Sequence, residues 1–111
     1  MSVLNFKPFY VHGCRNRRRN DSWHLRSQPH GFSVLVSPSS TDRMVNIQVA
    51  LCHYSDEFNR KEGRSCADDA PIKTINARDL PHELAKLAAK IHGVNNSKYH
   101  GKYDYTLCYV V

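Results

Sequence analysis

No stretch of these 111 residues approaches the roughly 18 consecutive apolar residues that a membrane-crossing helix needs. A transmembrane chain is therefore not expected. Cys-x-x-Cys and His-x-x-x-His spacings are absent, so no single turn offers two zinc ligands. The near pairs, His12 with Cys14 and Cys52 with His53, do not replace them. Neighbours on a strand point to opposite faces and rarely share a metal. There is no phosphate-cradling glycine loop, no internal repeat and no recognised nucleic-acid motif. The first residues carry their cations after the apolar part and lack a small-residue cleavage pattern, so they do not read as an export signal. The expected site of action is the cytosol of the producing cell. In that setting the four cysteines, Cys14, Cys52, Cys66 and Cys108, are expected to be reduced. No cofactor is expected.

What is present is a globular composition, 41% hydrophobic and 23% charged, in a length that suits one domain, residues 1–111. The net charge is +6 and unevenly placed. Residues 1–30 hold Lys7, Arg15, Arg17, Arg18, Arg19 and Arg26 against Asp21 alone, while the rest holds ten cations against nine anions. An exposed basic loop is expected at about 13–22. It suits phosphate or an acidic protein surface, and its plain reading is a solvated loop.

The pattern predicts secondary structure in turn. Pro8 limits "LNFKPFYVH" to an edge strand or extended arm. "SWHLRS" suggests a short strand, and "FSVLVS" a β-branched one. In "MVNIQVALC", Val45, Ile47, Val49 and Leu51 alternate with Asn46, Gln48 and Ala50, the period of a strand with one buried face. These last two strands suggest an antiparallel hairpin. On that register Ile47→Asp should be severe and Gln48→Asp far milder than it. A helix is expected at about 55–67, capped by Ser55 and anchored by Phe58. "PIKTINA" reads as a short extended piece. "RDLPHELAKLAAKIHG" carries Leu80, Leu84, Leu87, Ala88 and Ile91 at helical spacing, with Asp79 as its cap and Gly93 at its end. "YDYTLCYVV" reads as a closing strand. The expected fold class is α+β, a mainly antiparallel sheet with two helices packed on one face.

The stretch "CHYSDEFNRKEGRSCA" holds the sharpest local question, a glycine inside a helical pattern beside Arg60, Lys61 and Arg64. Gly63 costs about 1 kcal/mol relative to alanine in a helix. Either the helix packs closely on the sheet there or it ends there. Asp56 with Arg60 and Glu57 with Lys61 would form i,i+4 pairs, leaving Arg64 for an anion or an acidic partner. The segment resembles one in small proteins of tailed bacteriophages, an apolar strand followed by Cys-Ser-x-x-Asp-x-Phe-x-Arg/Lys-Lys-x-Gly-Arg and a nearby alanine. Cys52, Asp56, Phe58, Arg60, Lys61, Gly63, Arg64 and Ala67 fit, whereas His53 and Glu62 depart. The resemblance implies phage origin, and hence the host cell cytoplasm, more than it implies a chemistry.

The expected function is a non-enzymatic binder that modulates a host process, by takeover or anti-defence, through a host protein that handles nucleic acid. Its binding residues would be Arg15, Arg17, Arg18, Arg19, Trp23, Arg60, Lys61 and Arg64, since arginine and aromatics dominate interface hot spots. The alternative is direct nucleic-acid binding through the same arginines, with Trp23, Tyr10 or His24 stacking on bases. The second alternative is a metal-dependent nuclease-like enzyme using Asp68 and Asp69, with Lys73 nearby. Cysteine–histidine catalysis would require a pairing that sequence does not display.

Overall fold

Alternating apolar side chains on successive strands can bury one sheet face, and the chain builds an antiparallel sheet on that principle. The structure is a computed structural model that describes residues 6–15, 17, 19–91 and the backbone of 109–110. Among these residues the strands are β1 (Phe9–Cys14), β2 (Gly31–Pro38), β3 (Met44–Cys52), β4 (Lys73–Asn76) and β5 (Tyr109–Val110), in the order β4-β3-β2-β1-β5. The helices are α1 (Trp23–Arg26), α2 (Arg60–Asp69) and α3 (Leu80–Ile91). The fold class is α+β, as the pattern predicts.

Pairing of Val34 with Val11 and Val49, and of Val36 with Ile47, puts these valines and isoleucine on one face. Phe32, Val45 and Ile75 complete it, and Leu84, Ala88 and Ile91 of α3 close over it as the main core. The opposite face carries Tyr10, His12, Ser33 and Gln48, and α2 lies there, with Gly63 against Ser33 and Gln48 reaching the end of the helix. The two helices, expected together on one face, thus divide between two. The reason is β2, whose Phe32, Ser33 and Val34 are all buried, so both sides of the sheet centre need a cover.

Several local expectations change. Pro8 precedes β1 and does not interrupt it, and β1 is no edge because β5 pairs with it at His12 and Gly13. "WHLR" is a helical turn, since the Ser22 hydroxyl accepts from the Leu25 amide. Helix α2 starts at Arg60 and not near 55, because Asn59 caps it by accepting from the amides of Lys61 and Glu62. It ends before Pro71, which disfavours helical geometry at Ala70. Asn76, not Asp79, caps the 3-10 turn Ala77–Asp79 that leads into α3. Gly93, Cys108 and all of the expected closing strand but Tyr109–Val110 lie outside the described residues.

One asymmetry of the sheet matters later. β4 pairs with β3 only from Met44 to Ile47. On that outer edge, away from β2, no described strand continues beside Gln48–Cys52.

Candidate binding surface

The arginine run turns out to hold two kinds of residue. Arg15 follows the last residue of β1 and is drawn inward: its side chain is 10% exposed and lies 3.0 Å from Asp21, itself 5% exposed. Its Nε also donates to the Ile91 carbonyl at 2.7 Å, tying β1 to the end of α3. Asp21 accepts a second bond from the Tyr54 hydroxyl at 2.7 Å. That bond, then burial and the carboxylate charge, push the Tyr54 phenol up from its ordinary value. Arg15 is therefore a structural cation, not the exposed one expected. Two residues on, Arg17 is exposed, donating to the Tyr54 carbonyl at 2.8 Å with its guanidinium 6.0 Å from the Tyr54 ring centre. Arg19 and Arg26 are exposed as well, joined by a bond from Arg26 to the Arg19 carbonyl. Trp23 is 80% exposed beside them. Arg18 lies outside the described residues.

Helix α2 presents Arg60, Lys61 and Arg64 to solvent. Among the described residues, ion pairs to Asp56 and Glu57 do not form. With the cap at Asn59, those carboxylates precede the helix and lose the i,i+4 relation. Arg60 and Arg64 lie on the β1 side of α2. Burial first, then these two charges, hold the His12 imidazole below its ordinary range. Asp68, on the same side one turn further on, accepts from the Tyr10 hydroxyl. That bond is the main reason the Tyr10 phenol is raised. Gly63 answers its question here. A Cβ added to it would lie 2.0 Å from the Ser33 oxygen, so the helix packs on the sheet at a distance only glycine permits. The helix does not end there but runs on to Asp69.

The other side of α2 meets β3 at a cleft of about 610 Å³. Leu51, Cys52 and Cys66 line it, with Asp56, Glu57 and Glu62 at its polar positions, and no lysine or arginine is among its described lining residues. Leu51 is 47% exposed. The two flanks of α2 thus differ in sign, cationic toward β1 and anionic toward β3. Sequence reasoning missed this cleft. Its legible signal was the mismatch between a nine-residue strand and a short neighbour that Pro71 cuts off.

A cysteine–histidine pair does occur, with Cys52 Sγ 3.4 Å from His30 Nε2. His30 Nε2 also meets the Asp56 carbonyl, which only accepts, so in the tautomer that satisfies this contact the nitrogen donates to Asp56. Burial, with Asp56 next, pushes the Cys52 thiol up, away from the thiolate a nucleophile needs. Among the described residues, Asp68 and Asp69 do not converge with a third ligand. Among the described residues no group of three or more His, Cys, Asp and Glu side chains could hold a metal ion. No described helix is long and apolar enough to cross a membrane.

Comparison with family models, with curated proteins and with solved structures finds no match to this chain.

Proposed function

We propose that the chain is a small phage-encoded binding protein without a catalytic step. It acts in the host cytoplasm by docking on a host protein that handles nucleic acid, and so alters a host process. The observation that supports this reading is the two-signed, aromatic-bearing surface. From Asp56 to Asp69 three cations stand among five carboxylates, a mixture that repels a polyanion as much as it attracts one. Mixed charge beside an exposed tryptophan suits a protein interface, where charge fixes register and the aromatic supplies the anchor. A partner that itself holds nucleic acid would let Arg17, Arg19 and Arg26 reach its phosphates.

Direct nucleic-acid binding is the second reading, favoured by one feature, the exposed arginines gathered around Trp23. The two readings separate in one experiment. Tagged protein is incubated with bacterial host lysate, with and without nuclease, and the purified protein is titrated with mixed-sequence DNA and RNA at several salt concentrations. Docking on protein predicts a discrete partner retained after nuclease and lost on Trp23→Ala combined with Arg60→Ala and Arg64→Ala. Capture that vanishes with nuclease, together with direct binding that falls steeply with salt, would replace this reading by the second.

A further inference from the structure

An open strand edge is a row of unpaired amide and carbonyl groups, and proteins usually blunt such edges with lysine, proline or a bulge. The outer edge of β4 follows that rule. It is four residues long and begins with Lys73. The second half of β3 does not follow it. Gln48–Cys52 extends beyond the last β3–β4 pair, Ile47 with Lys73, and carries no lysine, arginine or proline. Pro71, two residues before β4, prevents the chain itself from continuing the ladder. The length that no described strand covers is about 17 Å, enough for a five-residue strand.

The surroundings of this edge restrict what can lie on it. On the side of Ala50 and Cys52 stands the cleft under α2, with Asp56, Glu57 and Glu62 at its polar positions. On the other side, shared with Val49, stands the side chain of half-exposed Leu51, a residue that also borders the cleft. In an antiparallel or parallel addition, successive side chains of the incoming strand alternate between those two sides.

We propose that Gln48–Cys52 is a strand-addition site for an extended segment of a partner protein in which basic and apolar residues alternate. The basic residues enter the acidic cleft and the apolar ones cover Leu51 and Val49. The backbone bonds give affinity and the alternation gives selectivity, the mode by which extended peptides join sheet edges. This inference rests on the protein-docking reading above and specifies the chemistry of the segment recognised.

The probe is an end-blocked octapeptide of alternating lysine and valine. Its controls are the glutamate–valine peptide and a lysine–valine peptide of the same composition in two blocks. Binding is measured by calorimetry, and NMR follows hydrogen exchange at those amides of Gln48–Cys52 that point away from β2, the alternate ones along the strand. The alternating basic peptide should bind, the acidic one should not, and the block peptide should bind at least about tenfold more weakly. Exchange at β3 should slow only in the bound state. Glu57→Lys combined with Glu62→Gln should weaken binding about tenfold or more, while an unchanged melting temperature shows the fold intact. Equal binding of the three peptides, unchanged affinity of the variant, or edge amides already protected in the free chain would each overturn the site. Protection that grows with protein concentration would assign the edge to a second copy and overturn it too. A lysate partner captured equally by wild type and variant, with no peptide bound, would remove this site and leave the docking reading standing.

Discussion

The two faces of the sheet are covered by helices of similar length, yet they are held by different physics. Under α3 the contact is dry and made of branched and aromatic side chains, Val11, Phe32, Val34, Val36, Ile47 and Ile75 against Leu84, Ala88 and Ile91. Its stability follows buried apolar area, about 25 cal/mol per Å². Under α2 the contact is close and polar. Gly63 and Ala67 let the helix backbone approach, His12 and Ser33 bond to each other at 2.7 Å, and Gln48 reaches the helix end. Such a face depends on fit and on satisfied hydrogen bonds, and each polar group left alone there costs about 1–3 kcal/mol. One face tolerates repacking among hydrophobes of like volume. The other has little tolerance for a single added atom.

The largest expected effect breaks the dry face. Ile47→Asp places an unpaired charge among Val45, Val36 and Ile75 and should cost about 4 kcal/mol or more, or prevent folding. Urea denaturation measures it against Ile47→Val, which should cost about 0.5–1.5 kcal/mol. If the two variants unfolded at similar urea concentrations, the register of β3 would be wrong.

Next comes the close approach. Gly63→Ala would raise helix propensity by about 1 kcal/mol in isolation. Here it should destabilise, by about 1–3 kcal/mol net, because the new methyl meets the Ser33 oxygen. Ser33→Ala removes that oxygen, so the double variant should recover part of the loss. A double-mutant cycle reads this as a coupling of at least about 0.5 kcal/mol, and strict additivity would mean that the helix does not sit on Ser33.

The third effect adds a role that the alternating pattern does not display. Gln48 faces away from the dry core, which makes substitution there look mild. Its amide nitrogen instead donates toward the carbonyls of Ala67, Asp68 and Ala70, at 3.2, 3.0 and 3.0 Å, and so caps the C-terminus of α2. Gln48→Ala should cost about 1 kcal/mol. Gln48→Asp should cost more, since a carboxylate would face carbonyl oxygens and the negative end of the helix dipole. Thermal melts of both variants test the order, and a reversed order would count against the capping role.

These cases show where the sequence was legible. The strand period of β3 and the helical period of α3 are local patterns, and both elements appear where the pattern puts them. Gly63 was visibly odd, but its reason is Ser33, thirty residues away and joined to it only by the fold. Arg15 and Arg17 belong to one run of cations and differ completely in role. Which of them turns inward depends on Asp21, Tyr54 and the Ile91 carbonyl, three partners from different parts of the chain. The cleft was least legible of all, because an uncovered strand edge is a property of two strands with unequal lengths and not of either one.

The smallest effect sharpens the comparison through pH, since among the described residues the imidazole with a shifted value, His12, lies on the polar face. His12 is buried against Ser33, stacked on Tyr10, with Arg60 and Arg64 near by. Its folded-state value lies below the ordinary 6.5, first from burial and then from the two arginines. Well above pH 6.5 neither state binds the proton, and the neutral imidazole costs nothing. As the pH falls below 6.5, the unfolded chain takes up a proton that the folded one refuses, so stability declines until the folded value is reached. The slope of that decline cannot exceed about 1.4 kcal/mol per pH unit for one group. His12→Asn should flatten this part of the profile between pH 7 and 5, measured by urea midpoints. Arg60→Ala with Arg64→Ala should move the His12 titration upward in an NMR pH series, because two repelling charges are gone, and should shorten the window of decline. A His12→Asn profile superimposable on that of the wild type would mean that the imidazole under α2 is free to ionise, and the polar face would then be wetter than its geometry indicates.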